Sequence, residues 1–219
     1  MNHLCTDQDC REEFKSAYEN RYTWGSEFCG YKGTCILDNG SKIFRGTFDL
    51  GVDFKSNIFG IEEETINKAI SYQLWEVAIH RVRRSFNDVH GQNNFVGGDV
   101  DDVGKKVLVT GKNKGDFYRI KNDVVTMVYR QIHGSYITII TESILNTEKG
   151  YLSKKYTSKY GDPTTSNQFQ PKSHYLDTFV QLYLGGPWVL TERSIMTEMS
   201  KEKPETQLTY SFIDLHKLV

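Results

Sequence analysis

Apolar residues near the start of the chain recur every three or four positions. The residues on this stripe are Cys10, Phe14, Ala17, Tyr18 and Tyr22. This spacing places them on one face of a helix. Thr6 is the N-cap candidate, because its hydroxyl can accept a hydrogen bond from the first turn. The pattern therefore predicts a first helix over residues 7–22.

The next apolar residues follow the pattern of strands. Two apolar runs flank Asp38-Asn39-Gly40, residue types that tolerate the positive φ angles of a tight hairpin turn. A hairpin is therefore predicted within residues 31–50. The segment 52–58 repeats with a period of two and predicts a third strand.

Residues 61–86 form the longest helical pattern, with an acidic first turn and a basic last turn that complement the helix dipole. Its apolar residues fall on two sides, at about 100° per residue. One side carries Ile66, Ile70, Leu74 and Val77, and the other carries Tyr72, Trp75, Ile79, Val82 and Phe86. We expect such a helix to be covered on both sides.

Alternating strand patterns dominate the second half of the chain. Residues 89–106 are rich in Gly, Asn and Asp and are interpreted as a loop, and eight strand-like runs then follow to residue 215. Short turns between them predict antiparallel neighbours. Some runs, such as 135–145, are apolar on both faces, so the sheet must be covered twice or enclose a cavity.

These elements predict an α+β fold. We expect a curved antiparallel sheet of about eight to eleven strands, a half-barrel or barrel wrapped on the long helix, with the N-terminal helix in addition. No linker, repeat or low-complexity tract divides the chain. A single domain over residues 1–219 is therefore expected.

Charge and hydropathy exclude several classes of protein. The net charge is -1, from 27 basic and 28 acidic side chains, which disfavours nucleic acids and anionic membranes as partners. No run approaches the roughly 20 apolar residues of a transmembrane helix. The first 15 residues lack the apolar core of a signal peptide, so we expect a cytoplasmic protein. Oligomeric state is left open.

Neither a metal nor a cofactor is predicted. The cysteines, Cys5, Cys10, Cys29 and Cys35, all lie in the first 35 residues but lack the tight spacing of a zinc knuckle. Free thiols are the simpler interpretation, and the role of the four cysteines is left open. The six histidines form no close ligand pair, and no catalytic fingerprint occurs.

The polar edge of the long helix offers two kinds of chemistry. Glu76 and His80 are four residues apart, so they can form a hydrogen bond that orients the histidine as a base or ligand. A salt-bridged polar edge without function explains the same pair. Arg81 and Arg84 are candidates for binding a carboxylate or phosphate head group at a cavity mouth.

Aromatic residues on the strands are the strongest candidates for a binding surface. They indicate either a tyrosine-rich sheet face or a pocket for an apolar ligand, since small-molecule pockets are apolar with few polar groups. No residue is assigned to catalysis or to metal binding. The candidate ligand-binding residues are Trp75, Glu76, His80, Arg81, Arg84, Tyr156, Tyr160, Tyr175, Phe179 and Tyr183.

Four segments carry a resemblance to a known family. "SAYENRYTW", "QLWEVAIHRVRRSF", "GDFYRIKNDVVTMVYRQIHG" and "GYLSKKYTSKYGDP" resemble a family of cyanobacterial proteins classed as a domain of unknown function. The resemblance covers nearly the whole chain and is most specific at "QLWEVAIHRVRR". This family has no established activity, so it implies no site residue.

The order of strands bears a weaker resemblance to a second group. It is similar to the periplasmic lipoprotein-carrier family and to the lipoprotein-sensing domain of a sigma-factor regulator. That resemblance implies a curved antiparallel sheet around helices that holds acyl chains on its concave face. The chain departs from this group in lacking an export signal. Cyanobacterial bilin lyases, closed barrels of similar length, are a further comparison, but no lyase motif is present.

The residues and the resemblance together predict a non-catalytic cytoplasmic protein of a photosynthetic bacterium. Its expected partner is a hydrophobic small molecule, a lipid or pigment, or a membrane-associated client protein. One alternative is a bilin lyase or isomerase acting on phycobiliproteins. Another is an assembly scaffold for a photosynthetic complex.

Overall fold

The computed structural model of the chain describes residues 7–165, 168, 170–200 and 204–218. The cap predicted at Thr6, together with Cys5 and His3, lies outside the described residues. The described residues form α1 (Asp7–Glu19), β1 (Tyr31–Asp38), β2 (Ile43–Leu50), β3 (Ser56–Phe59), α2 (Glu64–Ile79), α3 (Phe86–His90), β4 (Asn93–Val100), β5 (Lys105–Gly111), β6 (Phe117–Lys121), β7 (Val124–Ile132), β8 (Ser135–Thr147), β9 (Gly150–Gly161), β10 (Ser173–Gln181), β11 (Trp188–Thr197) and β12 (Thr206–Lys217).

The predicted fold class is confirmed in its main feature, a mostly antiparallel β structure with a few helices. The described part of the chain has twelve strands, one more than the upper bound of the prediction. The missed strand is β4, which contains Gly97, Gly98 and Asp99. Glycine and aspartate disfavour strands, so this segment was interpreted as a loop.

The long helix predicted over residues 61–86 is not confirmed at that length. α2 ends at Ile79, and the amides of His80 and Arg81 bond to carbonyls three residues back, at 3.2 and 2.9 Å. Such tightening is typical of a final helical turn. A separate short helix then begins at Phe86. The Ser85 side chain caps α3 by accepting a hydrogen bond from the Asp88 amide.

The chain divides into two compact units. The first comprises residues 1–22 and 84–173, and the second comprises residues 23–83 and 174–219. Each unit contains six strands. In the described residues, β4 in the first unit and β3 in the second each have one neighbouring strand, so each is an edge strand.

The first unit is built on α1. Its strands follow the order β4-β5-β6-β7-β8-β9, and every neighbouring pair is antiparallel. The predicted stripe of α1 is confirmed, because Cys10, Phe14, Ala17 and Tyr18 are buried in one cluster with α3 and residues of β4 to β7. The Phe14 ring stacks on Tyr118, with 4.5 Å between the ring centroids.

His90 is a polar residue inside this aromatic core. It is 4% exposed, and its Nδ1 lies 3.2 Å from the side-chain Nδ2 of Asn93. Burial, the largest cause, and the positive charges of Arg130, Arg21 and Arg11 together lower the pKa of His90 to about 4. The imidazole is therefore neutral at pH 7, as expected for a histidine packed among aromatic rings.

The second unit is built on α2. Its strands follow the order β3-β2-β1-β12-β11-β10. One side of α2 is buried as predicted, through Ile70, Leu74 and Val77, and this helix packs on β1 and β3. In the described residues, no helix combines the length and apolar composition needed to cross a bilayer.

We predict that His90 makes the stability of the protein fall in acid. Between pH 6.5 and about 4 the unfolded chain binds a proton at His90 that the folded chain excludes. The contribution of the neutral His90 to the free energy of unfolding is therefore fully present above pH 6.5 and is lost as the pH falls toward 4. The loss amounts to at most about 3 kcal/mol. His90→Gln has no such proton to bind, so its free energy of unfolding should fall less between pH 7 and pH 4.5.

Urea unfolding at the two pH values measures this difference. His133→Gln, at an exposed turn position, is the matched control and should behave as the wild type. If the wild type and His90→Gln lost the same free energy of unfolding on acidification, the assignment of the acid sensitivity to His90 would be wrong.

Candidate functional site

The most buried charged pair of the second unit joins β11 to β10. Arg193 Nε and Nη2 donate to the two carboxylate oxygens of Asp177, each at 2.7 Å. Both side chains are almost completely buried. This two-bond geometry is the strong form of an arginine–carboxylate contact, because each oxygen receives its own donor.

The same arginine also holds α2. Its Nη1 donates to Gln73 Oε1 at 3.0 Å and to Glu76 Oε2 at 2.7 Å. Around these contacts, the Tyr175 ring centroid lies 5.6 Å from the guanidinium carbon, and the Tyr210 side chain hydrogen-bonds to Gln73. We call this set the Arg193 cluster: Gln73, Glu76, Tyr175, Asp177, Arg193 and Tyr210.

The charges within the Arg193 cluster do not cancel. One guanidinium faces two carboxyl groups, so the cluster carries one surplus negative charge when both carboxyls are ionised. Burial is the main cause that raises the pKa of Glu76, and the charge of Asp177 raises it further, while Arg193 lowers it. Glu76 is the more exposed of the two carboxyl groups, at 25% against 3% for Asp177, and it borders on solvent.

Two exposed aromatic rings lie beside this carboxylate. Tyr72 and Trp75 are 54% and 44% exposed, with ring centroids 5.7 Å apart and planes tilted by 37°. We call them the aromatic pair. They belong to the second apolar side of α2, so the expectation that both sides of this helix are covered is wrong. The charge of Glu76 also helps to raise the pKa of Tyr72, in line with their spacing of one turn.

The structure brings part of the predicted site together. The aromatic pair contains Trp75, and the neighbouring Arg193 cluster contains Glu76 and Tyr175. Arg81 lies nearby in sequence but has another contact, with its guanidinium carbon 5.5 Å from the Phe179 ring centroid.

The remaining predicted residues lie elsewhere. His80 is exposed just beyond the end of α2, and Tyr183 is exposed in the turn between β10 and β11. Arg84, Tyr156 and Tyr160 belong to the first unit. The predicted roles of these five residues in ligand binding stay predictions.

Sequence reasoning missed the residues that organise the site. Asp177 shares a strand face with Tyr175 and Phe179, and Arg193 shares one with the buried Ile195. A single charge among inward-facing residues of each of two consecutive strands is a signal for a buried ion pair, since lone buried charges are unfavourable. Reading the two strands together would have found it.

Metal ligation has no candidate cluster within the described part of the chain, where no three His, Cys, Asp or Glu side chains converge. Cys10 and Cys35 are buried free cysteines, and Cys29 is an exposed one.

The second unit also has a shallow cavity of about 340 Å³ that contains none of the predicted site residues. It is lined by Lys32, Gly33, Thr34, Thr47, Phe48, Asp49, Phe59, Asp214 and His216.

Comparison with known protein families identifies the family of this chain. The model of a family of proteins of unknown function, DUF3386, matches residues 5–218. The chain belongs to this family, which confirms the predicted resemblance to a domain of unknown function. No curated protein matches the chain.

Three solved structures show distant similarity. A LolA superfamily protein of Nitrosomonas europaea is 8% identical, over 96% of this chain and 93% of that one, with a TM-score of 0.33. A DUF1329 family protein of Desulfovibrio piger ATCC 29098 is 9% identical, over 100% and 95% of the two chains, with a TM-score of 0.29. The MucA/MucB complex of Pseudomonas aeruginosa is 8% identical, over 93% and 92%, with a TM-score of 0.21.

We predict that Arg193→Met lowers the free energy of unfolding by about 3–5 kcal/mol, because it leaves Asp177 buried without its counter-charge. Urea denaturation measures the change. Arg83→Met removes the same charge from an exposed position of the second unit and should change stability by no more than about 0.5 kcal/mol.

The double variant Arg193→Met/Asp177→Leu separates charge from packing. It should recover much of the lost stability, since an apolar pair of similar volume replaces a desolvated ion pair at little net cost. A cost for Arg193→Met no larger than that for Arg83→Met would contradict the role assigned to the pair.

Proposed function

We propose that this protein is a non-catalytic binding protein for a hydrophobic small molecule, a lipid or a pigment, and that it acts in the cytoplasm of a photosynthetic bacterium. The observation that supports binding is the aromatic pair on α2. The cellular setting follows from the resemblance to cyanobacterial proteins and is part of the proposal.

Exposing aromatic rings of this size to water is unfavourable in free energy. A fully covered Tyr or Trp buries 150–250 Å², so about half of that, roughly 100 Å² for each ring, is available to a ligand. Covering this area would contribute on the order of 2 kcal/mol for each ring. Two adjacent rings therefore give a surface on which an apolar chain or a flat pigment gains affinity.

The surroundings of the pair match those of small-molecule sites, which are apolar with a few convergent polar groups. Glu76 lies one helical turn from Tyr72 and next to Trp75 in sequence, and the Tyr175 ring lies close enough for its charge to affect the pKa of Tyr72. The buried contacts of Arg193 hold Glu76 in place, so the polar group is positioned before a ligand arrives.

Binding is tested by titrating the whole protein with an acyl amphiphile, a carotenoid, chlorophyll and a bilin. We predict saturable binding of at least one class. Trp75→Ala should weaken that binding about 10- to 30-fold, which corresponds to the loss of one covered ring.

Leu184→Ala is the matched control, because Leu184 is a large apolar residue of the same unit that is 98% exposed in a turn. It should leave the affinity unchanged. Absence of binding to all four classes, or an equal effect of the two substitutions, would refute the proposed function at this surface.

A further inference from the structure

We propose that the surface formed by Tyr72, Trp75, Glu76 and Tyr175 selects hydrophobic ligands that carry a cationic head group, an alkylammonium or quaternary ammonium. This inference rests on the proposed function, which requires only that an apolar ligand binds. It adds the charge of the ligand, which the hydrophobic surface alone does not specify.

The first support is the charge balance of the Arg193 cluster. Arg193 is bound by both oxygens of Asp177, and that buried pair is neutral as a unit. Arg193 Nη1 donates both to Glu76 and to Gln73. The cluster thus has two carboxyl groups for one guanidinium, and Glu76 is the one that reaches solvent. A ligand cation beside it would complete the neutralisation of the cluster.

The second support is the arrangement of the rings. Tyr72 lies three residues from Trp75 and four from Glu76, so on the helix surface it contacts both neighbours. The faces of tyrosine and tryptophan rings attract cations within about 6 Å of the centroid. The two rings are 5.7 Å apart and tilted by 37°, and each residue is about half exposed, so ring surface is available to a ligand. Aromatic faces combined with one carboxylate are the typical chemistry for an ammonium group.

An anionic head group fits this surface poorly. The guanidinium of Arg193 is buried behind its carboxylate partners. Lys68, one turn before Tyr72, forms a 2.6 Å ion pair with Glu64. An incoming carboxylate or phosphate would therefore meet the carboxyl group of Glu76 and the negative faces of the rings.

The test compares three amphiphiles with the same twelve-carbon chain. Dodecyltrimethylammonium, dodecyl maltoside and dodecanoate are titrated into the whole protein by calorimetry, each below its micelle concentration, at pH 7 and low salt. The ammonium compound should bind about five- to tenfold more tightly than the maltoside, from one cation–π contact and one partly exposed ion pair. Dodecanoate should bind most weakly.

Two variants assign the preference to this surface. Glu76→Gln should bring the affinity for the ammonium compound down to that of the same variant for the maltoside. Tyr72→Leu keeps an apolar contact but removes one π face, so it should reduce the preference two- to threefold even if Glu76→Gln fails to fold. Glu62→Gln, which removes one exposed carboxylate of the same unit, is the control for net charge and should keep the full preference.

The outcomes separate this inference from the proposed function. Equal affinity for all three amphiphiles would overturn the inference and leave hydrophobic binding in place. An ammonium preference that survives both Glu76→Gln and Tyr72→Leu, or that is lost equally in Glu62→Gln, would also overturn it. If none of the three amphiphiles bound, the inference would be overturned, and the titrations with the carotenoid, chlorophyll and the bilin would still decide the proposed function.

Discussion

The second unit depends on one buried arginine. Arg193 holds two carboxylates and one amide oxygen within 3.0 Å, and these partners belong to β10 and α2. A buried ion pair adds little net stability over an apolar pair of the same volume, since both charges must leave water. Its effect is to restrict geometry, because a helix rotated or shifted by one residue would leave Asp177 and Glu76 without this donor.

That restriction determines which side of α2 faces solvent. The contacts from Gln73 and Glu76 to Arg193, together with the buried apolar side of the helix, direct Tyr72 and Trp75 away from the core. A helix held only by apolar contacts could rotate to cover these rings in part, because the hydrophobic effect is not directional. The polar contacts oppose this rotation. The exposed aromatic surface is therefore a consequence of how the helix is fixed.

Most of the fold could be predicted from the sequence, because strand alternation and turn residues are local signals. The predictions failed where a local signal conflicts with tertiary structure. Val82 and Phe86 continue the apolar pattern of α2, yet the helix ends at Ile79. Phe86 instead begins α3 and is buried in the hydrophobic core of the first unit. Strand β4 was missed because its glycines lower strand propensity, while its pairing with β5 supplies the stability that propensity lacks.

The candidate site could be predicted only in part, for a related reason. Trp75 and Glu76 could be recognised from their own segment, because Trp75 extends an apolar side of the helical pattern and Glu76 lies on its polar edge. Arg193 and Asp177 lie sixteen residues apart on different strands, and their partner Gln73 lies more than a hundred residues earlier. Pairing across such distances is set by strand register and helix packing, which depend on the whole second unit. The identity of the residue that fixes the aromatic pair was therefore accessible only once the strands and α2 were placed together.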